Sequence, residues 1–371
     1  MRIAYDAAPL MNTRTGVGHY AATLLDRLLE LDSSLQFHLF ALTRNPGRDG
    51  IPQGDRITLA HRRLPARVVV RAWESAGWPP GEWLVGDADV VHGTNFWLPP
   101  IRRRNGVVTI HDLTFWIHPE LCTAPVRRYR WIVPKVLARC ALVITPSETV
   151  RTQVASELDF PADRILVTPE GVMPAFKDGA ADPVLAARLG IDRPYVLFVG
   201  AREPRKNLQR LIEAFARLPG RDLQLVLAGP PGWGGLDLAS LANRAGLARD
   251  VIFSGYLEDG ELAALVTGAR VFAFPSIYEG FGLPPLEAMA AGVPVVAGRA
   301  GALPEVLGEA PLWCDPLDVD SIAHALLLAA TDDEERARAV EAGRARAAVF
   351  DWEDTARATL RAYRRIHDAG L

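Results

Sequence analysis

The feature that most constrains this chain is a recurring alternation of short apolar runs with longer amphipathic stretches. In the first half the runs are Arg2–Tyr5, Gln36–Leu42, Val90–Val91, Val107–Ile110, Ala141–Thr145 and Ile165–Val167. Between them lie stretches of helical period such as Val17–Glu30, Val126–Arg139 and Ser147–Leu158. Strands that alternate with helices in this way bury both faces only by forming a parallel sheet covered by helices on each side. The alternation breaks over residues 171–193, which carry Pro174, Gly179, Pro183 and Gly190 among polar residues and are bounded by Pro194. We read that stretch as an inter-domain connection with room for one short helical turn. The pattern restarts at Tyr195–Gly200 and continues through Leu223–Ala228, Val251–Phe253, Val271–Phe274 and Val293–Ala297, before a helical stretch over 318–370 rich in Ala, Arg and Glu. The expected fold class is therefore α/β, with two tandem Rossmann-like doubly wound domains over 1–175 and 176–371. Open α/β sheets bind ligands at the carboxyl ends of their strands, so two such halves facing each other would make a ligand cleft.

A length of 371 residues suits two domains, and 49% hydrophobic with 23% charged residues is an ordinary globular mixture. The net charge of -3 is unevenly placed. Residues 1–175 hold 20 Lys+Arg against 17 Asp+Glu, and the remainder 21 against 27. The arginines of the first half come in groups: Arg62, Arg63, Arg67 and Arg71, then Arg102 to Arg104, then Arg127, Arg128 and Arg130 with Lys135. Two readings of them stay open: a solvated basic surface, or a surface that meets anionic lipid or an acidic acceptor. Nucleic acid fits poorly with a slightly acidic protein. Cys122, Cys140 and Cys314 are odd in number and widely spaced, which points away from a disulfide framework or a zinc site and towards a reducing, cytoplasmic setting. The opening MRIAYD reads as a strand rather than a signal segment, and no run of 18 apolar residues is present. The expected location is cytoplasmic, with peripheral contact at the inner face of the membrane as the second of the two readings.

The segment from Phe274 to Glu287, FPSIYEGFGLPPLE, carries the most chemistry. It follows a strand and runs into a helix expected to begin near Pro284. Gly280 and Gly282 let backbone amides approach a ligand, and the helix N-terminus after them favours an anion such as a diphosphate. Glu279 precedes the turn, and Glu287 is expected in the first helical turn. Each carboxylate can accept hydrogen bonds from a pair of hydroxyls. The competing reading makes Glu287 a surface residue that compensates the helix dipole and the glycines simple turn formers.

Glu279 and Glu287, with GFGLP between them and EAMAAGVPVV after, resemble the signature of the GT-B retaining glycosyltransferases of family 4. The segment Phe198–Asn207, FVGAREPRKN, resembles that family's Gly-Arg…Lys-Asn segment, and the Gly255-Tyr256-Leu257 turn and Gly301 before Leu303-Pro-Glu305 also match. The resemblance spans nearly the whole chain and is strongest over 195–306. It implies a GT-B arrangement whose C-terminal helix can return to the N-terminal domain. It also implies a nucleotide-sugar donor used as substrate, with no resident cofactor and no metal. Arg202 and Lys206 would hold the donor diphosphate, as a guanidinium and an ammonium beside a strand end would do for a leaving group. Without an anion, a basic cluster at a helix start opposes the helix dipole, which favours that reading over an exposed basic turn. Glu279 would contact the sugar hydroxyls, near the backbone amides of Phe281, Gly282 and Leu283. Glu287 would bind the ribose, and Tyr256 and Leu257 would lie against the base.

The first half should supply the acceptor side. The resemblance makes Gly16 and Gly18, in TRTGVGHY, a loop over the donor phosphates. Their GxGxxA spacing also mimics a dinucleotide fingerprint, but it begins about ten residues after the strand instead of at its tip. His111 and Asp112 follow Val107–Ile110 directly, and the resemblance places His111 by the donor sugar. His92 and Asn95 end another strand, where they either line the acceptor side or close a polar strand end. Asp87-Ala-Asp89 spells a metal-binding DxD but immediately precedes a strand, so both acids read as strand-start residues.

Retention of anomeric configuration, with front-face attack assisted by a donor phosphate oxygen, follows from the resemblance and not from spacing. The Asp6, Leu10 and TGVGHY pattern looks most like bacterial transferases that use GDP-mannose or a GDP-deoxyhexose for surface polysaccharide, with a saccharide or lipid-linked saccharide as acceptor. A UDP-sugar donor, a nucleotide-sugar epimerase and a catalytically silent nucleotide-binding protein remain alternatives.

Overall fold

The structure, a computed structural model, describes residues 1–11, 16–42, 51–62, 66–220, 222–235 and 237–370. It divides into two compact units: Met1–Gly171 with Asp351–Leu371, and Val172–Phe350. Each unit is an open parallel sheet.

The first sheet runs β3-β2-β1-β4-β5-β6-β7, from β1 (Arg2–Asp6), β2 (Gln36–Leu42), β3 (Ile57–Arg62), β4 (Val90–Gly93), β5 (Gly106–Thr109), β6 (Leu142–Thr145) and β7 (Ile165–Val167). Every pairing is parallel. β4, β5 and β6 are buried along their whole length, as a strand with helices on both faces requires. The chain order reverses between β1 and β4, so the switch point of this sheet lies where Asp6 and Gly93–Asn95 emerge.

The second sheet runs β10-β9-β8-β11-β12-β13, from β8 (Tyr195–Val199), β9 (Gln224–Ala228), β10 (Val251–Gly255), β11 (Val271–Phe274), β12 (Val295–Gly298) and β13 (Leu312–Cys314). It too is wholly parallel. Its reversal falls between β8 and β11, the strands that lead into the Arg202–Lys206 and Glu279–Leu283 segments.

Two boundaries differ from expectation. The stretch 172–193 is no loose connection. Asp182 caps the short helix Pro183–Arg188 by accepting from the Val184 and Leu185 amides, and Phe176, Leu185 and Ile191 lie in the core of the second unit. Residues 351–371 do not belong with 176–350. The helix Trp352–Asp368 packs on the helix Gly16–Leu31 of the first unit. Its buried residues Trp352, Ala356, Thr359, Tyr363 and Ile366 recur at helical spacing and make one apolar stripe. Asp351 caps its start by accepting from the Glu353 amide at 2.7 Å, and Thr355 donates to the Pro169 carbonyl at 2.6 Å.

The three cysteines are buried and none is joined in a disulfide. Among the described residues no helix is long and apolar enough to cross a membrane. Asp89 accepts from the Arg2 amide and Asp87 pairs with Arg2 and Arg103, so the DxD spelling is strand-start anchoring.

Candidate active site

In the second unit the segments after β8 and β11 interlock. Beyond Gly200 the chain forms a 3-10 turn, Pro204–Lys206, and is then redirected by Asn207 at φ 62°. Asparagine tolerates that left-handed backbone, and here it is held there. Its amide nitrogen donates to the carbonyls of Pro275 at 3.0 Å and Pro316 at 2.5 Å. The Ile277 amide donates to the Arg205 carbonyl at 2.9 Å, and the Arg205 guanidinium donates to the Tyr278 carbonyl at 2.9 Å.

Glu279 is the centre of this assembly. One carboxylate oxygen accepts from Lys206 Nζ at 2.7 Å, and the other lies 2.5 Å from Arg205 Nη1. Both Lys206 and Glu279 are buried. Burial alone would raise the Glu279 carboxyl, but Arg205 and Lys206 outweigh it and hold it down at about 2. Burial pulls the Lys206 ammonium below its usual range, opposed by Glu279, and its Nζ sits 4.6 Å from the Phe274 ring centroid. Glu203 also approaches Arg205, at 3.8 Å, so Arg205 and Lys206 face two carboxylates and the group is close to neutral. Arg202, poised 5.3 Å over the Phe253 ring, brings one further cation at the same strand ends.

The turn that follows fixes the amides. Gly282 at φ 110° precedes the helix Leu283–Ala290, and a Cβ there would lie 2.5 Å from the Leu303 side chain. Gly301 at φ 56° lets the neighbouring chain lie against Glu279, whose carbonyl accepts from the Ala302 amide at 2.9 Å. Phe281 turns its ring into the core against Phe350, 5.7 Å away. The helix begins at Leu283, one residue earlier than expected, so the half-buried Glu287 stands in its second turn and not its first. Leu257 is buried and Tyr256 is 37% exposed. A pocket of about 350 Å³ opens beside Arg202, Trp233 and Phe253.

The first unit gathers a second group at its strand ends. His111 Nε2 lies 2.9 Å from the Thr94 carbonyl, which can only accept, so this nitrogen carries a proton. Nδ1 faces Glu170 Oε1 at 3.6 Å, and the ring meets Tyr20 edge-on at 4.8 Å. Asp112 is turned back to accept from the Thr114 amide at 2.7 Å. Asn95 is half-buried, and its Oδ1 has no hydrogen-bond partner. Gly16 and Gly18 lie inside the helix Gly16–Leu31, not in a loop, and Gly18 is buried. Thr13, Arg14 and Thr15 of the same motif lie outside the described residues.

His92 corrects an expectation. It is fully buried, with Nδ1 2.6 Å from the Tyr363 hydroxyl and Nε2 2.9 Å from Thr109 Oγ1. Burial pushes it down to about 3, so the ring is neutral. It is a core residue tying β4 to the C-terminal helix and does not line an acceptor surface.

Sequence reasoning also passed over Arg205, Glu170 and Trp233. Arg205 stood between two selected residues, and only the turn geometry shows that it faces Glu279. Glu170 had no motif to mark it.

Two Rossmann-like units, with a cationic, glycine-turned site at the switch point of the second, define a GT-B glycosyltransferase. Residues 14–176 match the family described as Glycosyltransferase Family 4 and residues 186–346 match Glycosyl transferases group 1, and the chain belongs to this glycosyltransferase family. The O-antigen chain mannosyltransferase B of Escherichia coli is 33% identical, covering 99% of this chain and 100% of that protein. Among solved structures, sucrose-phosphate synthase from Thermosynechococcus elongatus superposes with a TM-score of 0.80 at 22% identity, covering 100% of both chains. Anabaena HepE in complex with UDP-glucose gives 0.72 at 19% identity, again covering 100% of both.

Proposed function

We propose that the chain is a retaining, metal-independent hexosyltransferase that moves mannose or a deoxyhexose from a GDP-sugar to a saccharide or lipid-linked saccharide in bacterial cell-surface polysaccharide synthesis. The observation that carries this reading is the Arg205–Glu279–Lys206 triad beside Arg202. The triad fixes Lys206 at a strand end and a helix N-terminus, and Arg202 adds a cation there, where a leaving diphosphate would be stabilised without a metal ion. The full-length relative is a mannosyltransferase of O-antigen chains, which supports the sugar and the pathway class.

In this reading Lys206 and Arg202 neutralise the departing diphosphate, and the amides of Phe281, Gly282 and Leu283 meet it directly. Glu279 orients Lys206 and presents its remaining lone pairs to the sugar, Glu287 takes the ribose, and Tyr256 with Leu257 flanks the base. His111, oriented by Thr94 and Glu170, is the polar group offered to the reacting sugar, with Asp112 and Asn95 on the acceptor side. A donor phosphate oxygen takes the acceptor proton.

A UDP-sugar donor is the second reading, favoured by the likeness to a structure holding UDP-glucose. A thermal-shift panel separates them, since a ligand at 100 times its Kd stabilises by about 2.7 kcal/mol. GDP-mannose or GDP should shift the melting temperature where UDP-sugars do not, and the reverse result overturns the donor assignment. Arg202→Ala and Lys206→Ala should each lower turnover by roughly 10²-fold or more while the protein stays folded. Near-normal transfer in both would sink the site. Loss of transfer on adding EDTA, or an inverted product anomer by NMR, would remove the metal-independent and retaining parts respectively.

A further inference from the structure

A carboxylate that no step above uses stands at the switch point of the first sheet. Asp6 ends β1 and is only 5% exposed. Its Oδ1 accepts from the Ala8 amide at 3.0 Å, and no cation meets its carboxylate among the described residues. Burial pushes this carboxyl up to about 7. The titratable groups that face it are the phenols of Tyr5, on its own strand, and Tyr129, on the helix Tyr129–Leu137. Burial first, and the Asp6 charge after it, hold both above their usual range. A carboxylate kept dry without a counter-charge weakens the fold that holds it. Stability gives no reason for an acid at this position, whereas a ligand that arrives with hydroxyl donors does.

The loop after β4 brings a second unsatisfied acceptor alongside. Thr94 Oγ1 donates to the Asp6 carbonyl at 3.1 Å, and the Thr94 carbonyl faces His111 Nε2. The next residue is Asn95, whose buried Oδ1 has no hydrogen-bond partner. Phe96 then takes φ 58°, a left-handed backbone that a bulky side chain rarely adopts, with its amide held on the Thr109 carbonyl at 3.0 Å. Its ring stands 5.9 Å from that of His111 and 5.1 Å from that of Tyr129. Asp6, Asn95, Tyr129 and His111 are thus tied together through Thr94 and Phe96. Two oxygens short of donors beside aromatic rings suit a sugar, which offers hydroxyls on its rim and an apolar C–H face. An anion would be repelled by Asp6. A divalent cation takes about six oxygen ligands, and among the described residues no group of three metal-binding side chains is present.

We propose, resting on the transferase reading above, that Asp6 is a specificity-determining residue for the acceptor. Its carboxylate and Asn95 Oδ1 accept hydrogen bonds from two hydroxyls of the acceptor's terminal sugar, whose apolar face lies on the Tyr129 ring. That grip sets the sugar beside His111. A site built to satisfy two hydroxyls rejects a sugar that lacks them, because its own buried oxygens are then left unpaired.

The test is Asp6→Asn in the full chain, with α-mannobiose as the probe acceptor. The substitution keeps the shape and an oxygen for the Ala8 amide, removes the charge, and turns a donor towards the sugar. Its melting temperature at pH 8 should equal or exceed that of wild type, because a buried charge has gone. In transfer assays the KM for the disaccharide should rise by roughly ten-fold or more, the range for one hydrogen bond to a charged group. The KM for the donor and the melting shift by nucleotide should not change. Asn95→Ala should raise the same KM. Saturation-transfer NMR of α-mannobiose reads binding without turnover, and its signal should be present with wild type and lost with Asp6→Asn. A variant that melts lower yet holds the disaccharide as wild type does makes Asp6 a structural anchor and overturns the proposal. So does an unchanged disaccharide KM, or a loss of the nucleotide shift, which would move Asp6 to the donor side. A wild type that binds the disaccharide through Asp6 but transfers nothing would instead remove the transferase reading and leave the saccharide site in place.

Discussion

At the scale of single residues the site is an electrostatic balance that pH can read. Glu279 sits between two buried or half-buried cations, and its folded-state pKa of about 2 lies below the ordinary 4.5. A depressed carboxyl contributes stability that is present above its unfolded pKa and lost as pH falls through its folded one. The shift corresponds to roughly 3 kcal/mol, present above pH 4.5 and fading towards pH 2. Glu279→Gln removes the carboxylate that Lys206 and Arg205 share and leaves Arg205 only Glu203, at 3.8 Å. Breaking a buried pair from one side costs about 3–5 kcal/mol. Urea unfolding should show the variant less stable than wild type by about that amount at neutral pH, with the gap narrowing from pH 5 to pH 3. A gap that does not change with pH would mean that the cations are not what holds the carboxylate.

Among the elements, the loop that carries Gly301 is what allows the Glu279 backbone to lie where it does. A Cβ at Gly301 would come within 2.4 Å of the Glu279 carbonyl oxygen, and its φ of 56° is costly for any side chain. Gly301→Ala should destabilise the second unit by about 1–3 kcal/mol and weaken nucleotide binding together, because the same backbone positions the Glu279 carboxylate. Isothermal titration with the nucleotide checks this, and unchanged affinity in the folded variant would separate the loop from the site. This element also shows which parts of the candidate site the sequence could mark. Gly280 and Gly282 between Glu279 and Glu287 stand out in the residues themselves, while Lys206 was marked by the resemblance of Phe198–Asn207 to the family's Gly-Arg…Lys-Asn segment. The unread parts have other physical causes. β3 and β13 are edge strands paired on one side only, and Ile57–Arg62 is too polar and Leu312–Cys314 too short to stand out as a buried run. Whether Arg205 or Arg202 meets Glu279 depends on a 3-10 turn and a left-handed Asn207. One of the two partners of His92, Tyr363, lies 271 residues away, beyond any local pattern.

For the whole molecule, the chain's path gives a prediction about cooperativity. Each unit has its own sheet and core, yet the first is completed by a helix that arrives only after the second has been traversed. That helix buries Tyr363, Leu360 and Ile366, each worth about 1.5–3 kcal/mol on burial, and caps His92 with a hydroxyl. Removing residues 351–371 would expose the apolar face of Gly16–Leu31 and leave His92 Nδ1 unpartnered. Nucleotide, by contrast, stabilises only the unit that binds it. In calorimetry the full chain with nucleotide should show one transition raised by ligand, that of the second unit. In the truncated chain the transition that ligand does not move should fall sharply or vanish, while the ligand-shifted one persists. Tyr363→Phe isolates the polar part of the same contact. It keeps the ring in place and strips His92 of one partner, at a cost of about 1–3 kcal/mol confined to the ligand-insensitive transition. If truncation instead lowered the nucleotide-shifted transition, the returning helix would be stabilising the second unit and the assignment of 351–371 to the first would fail.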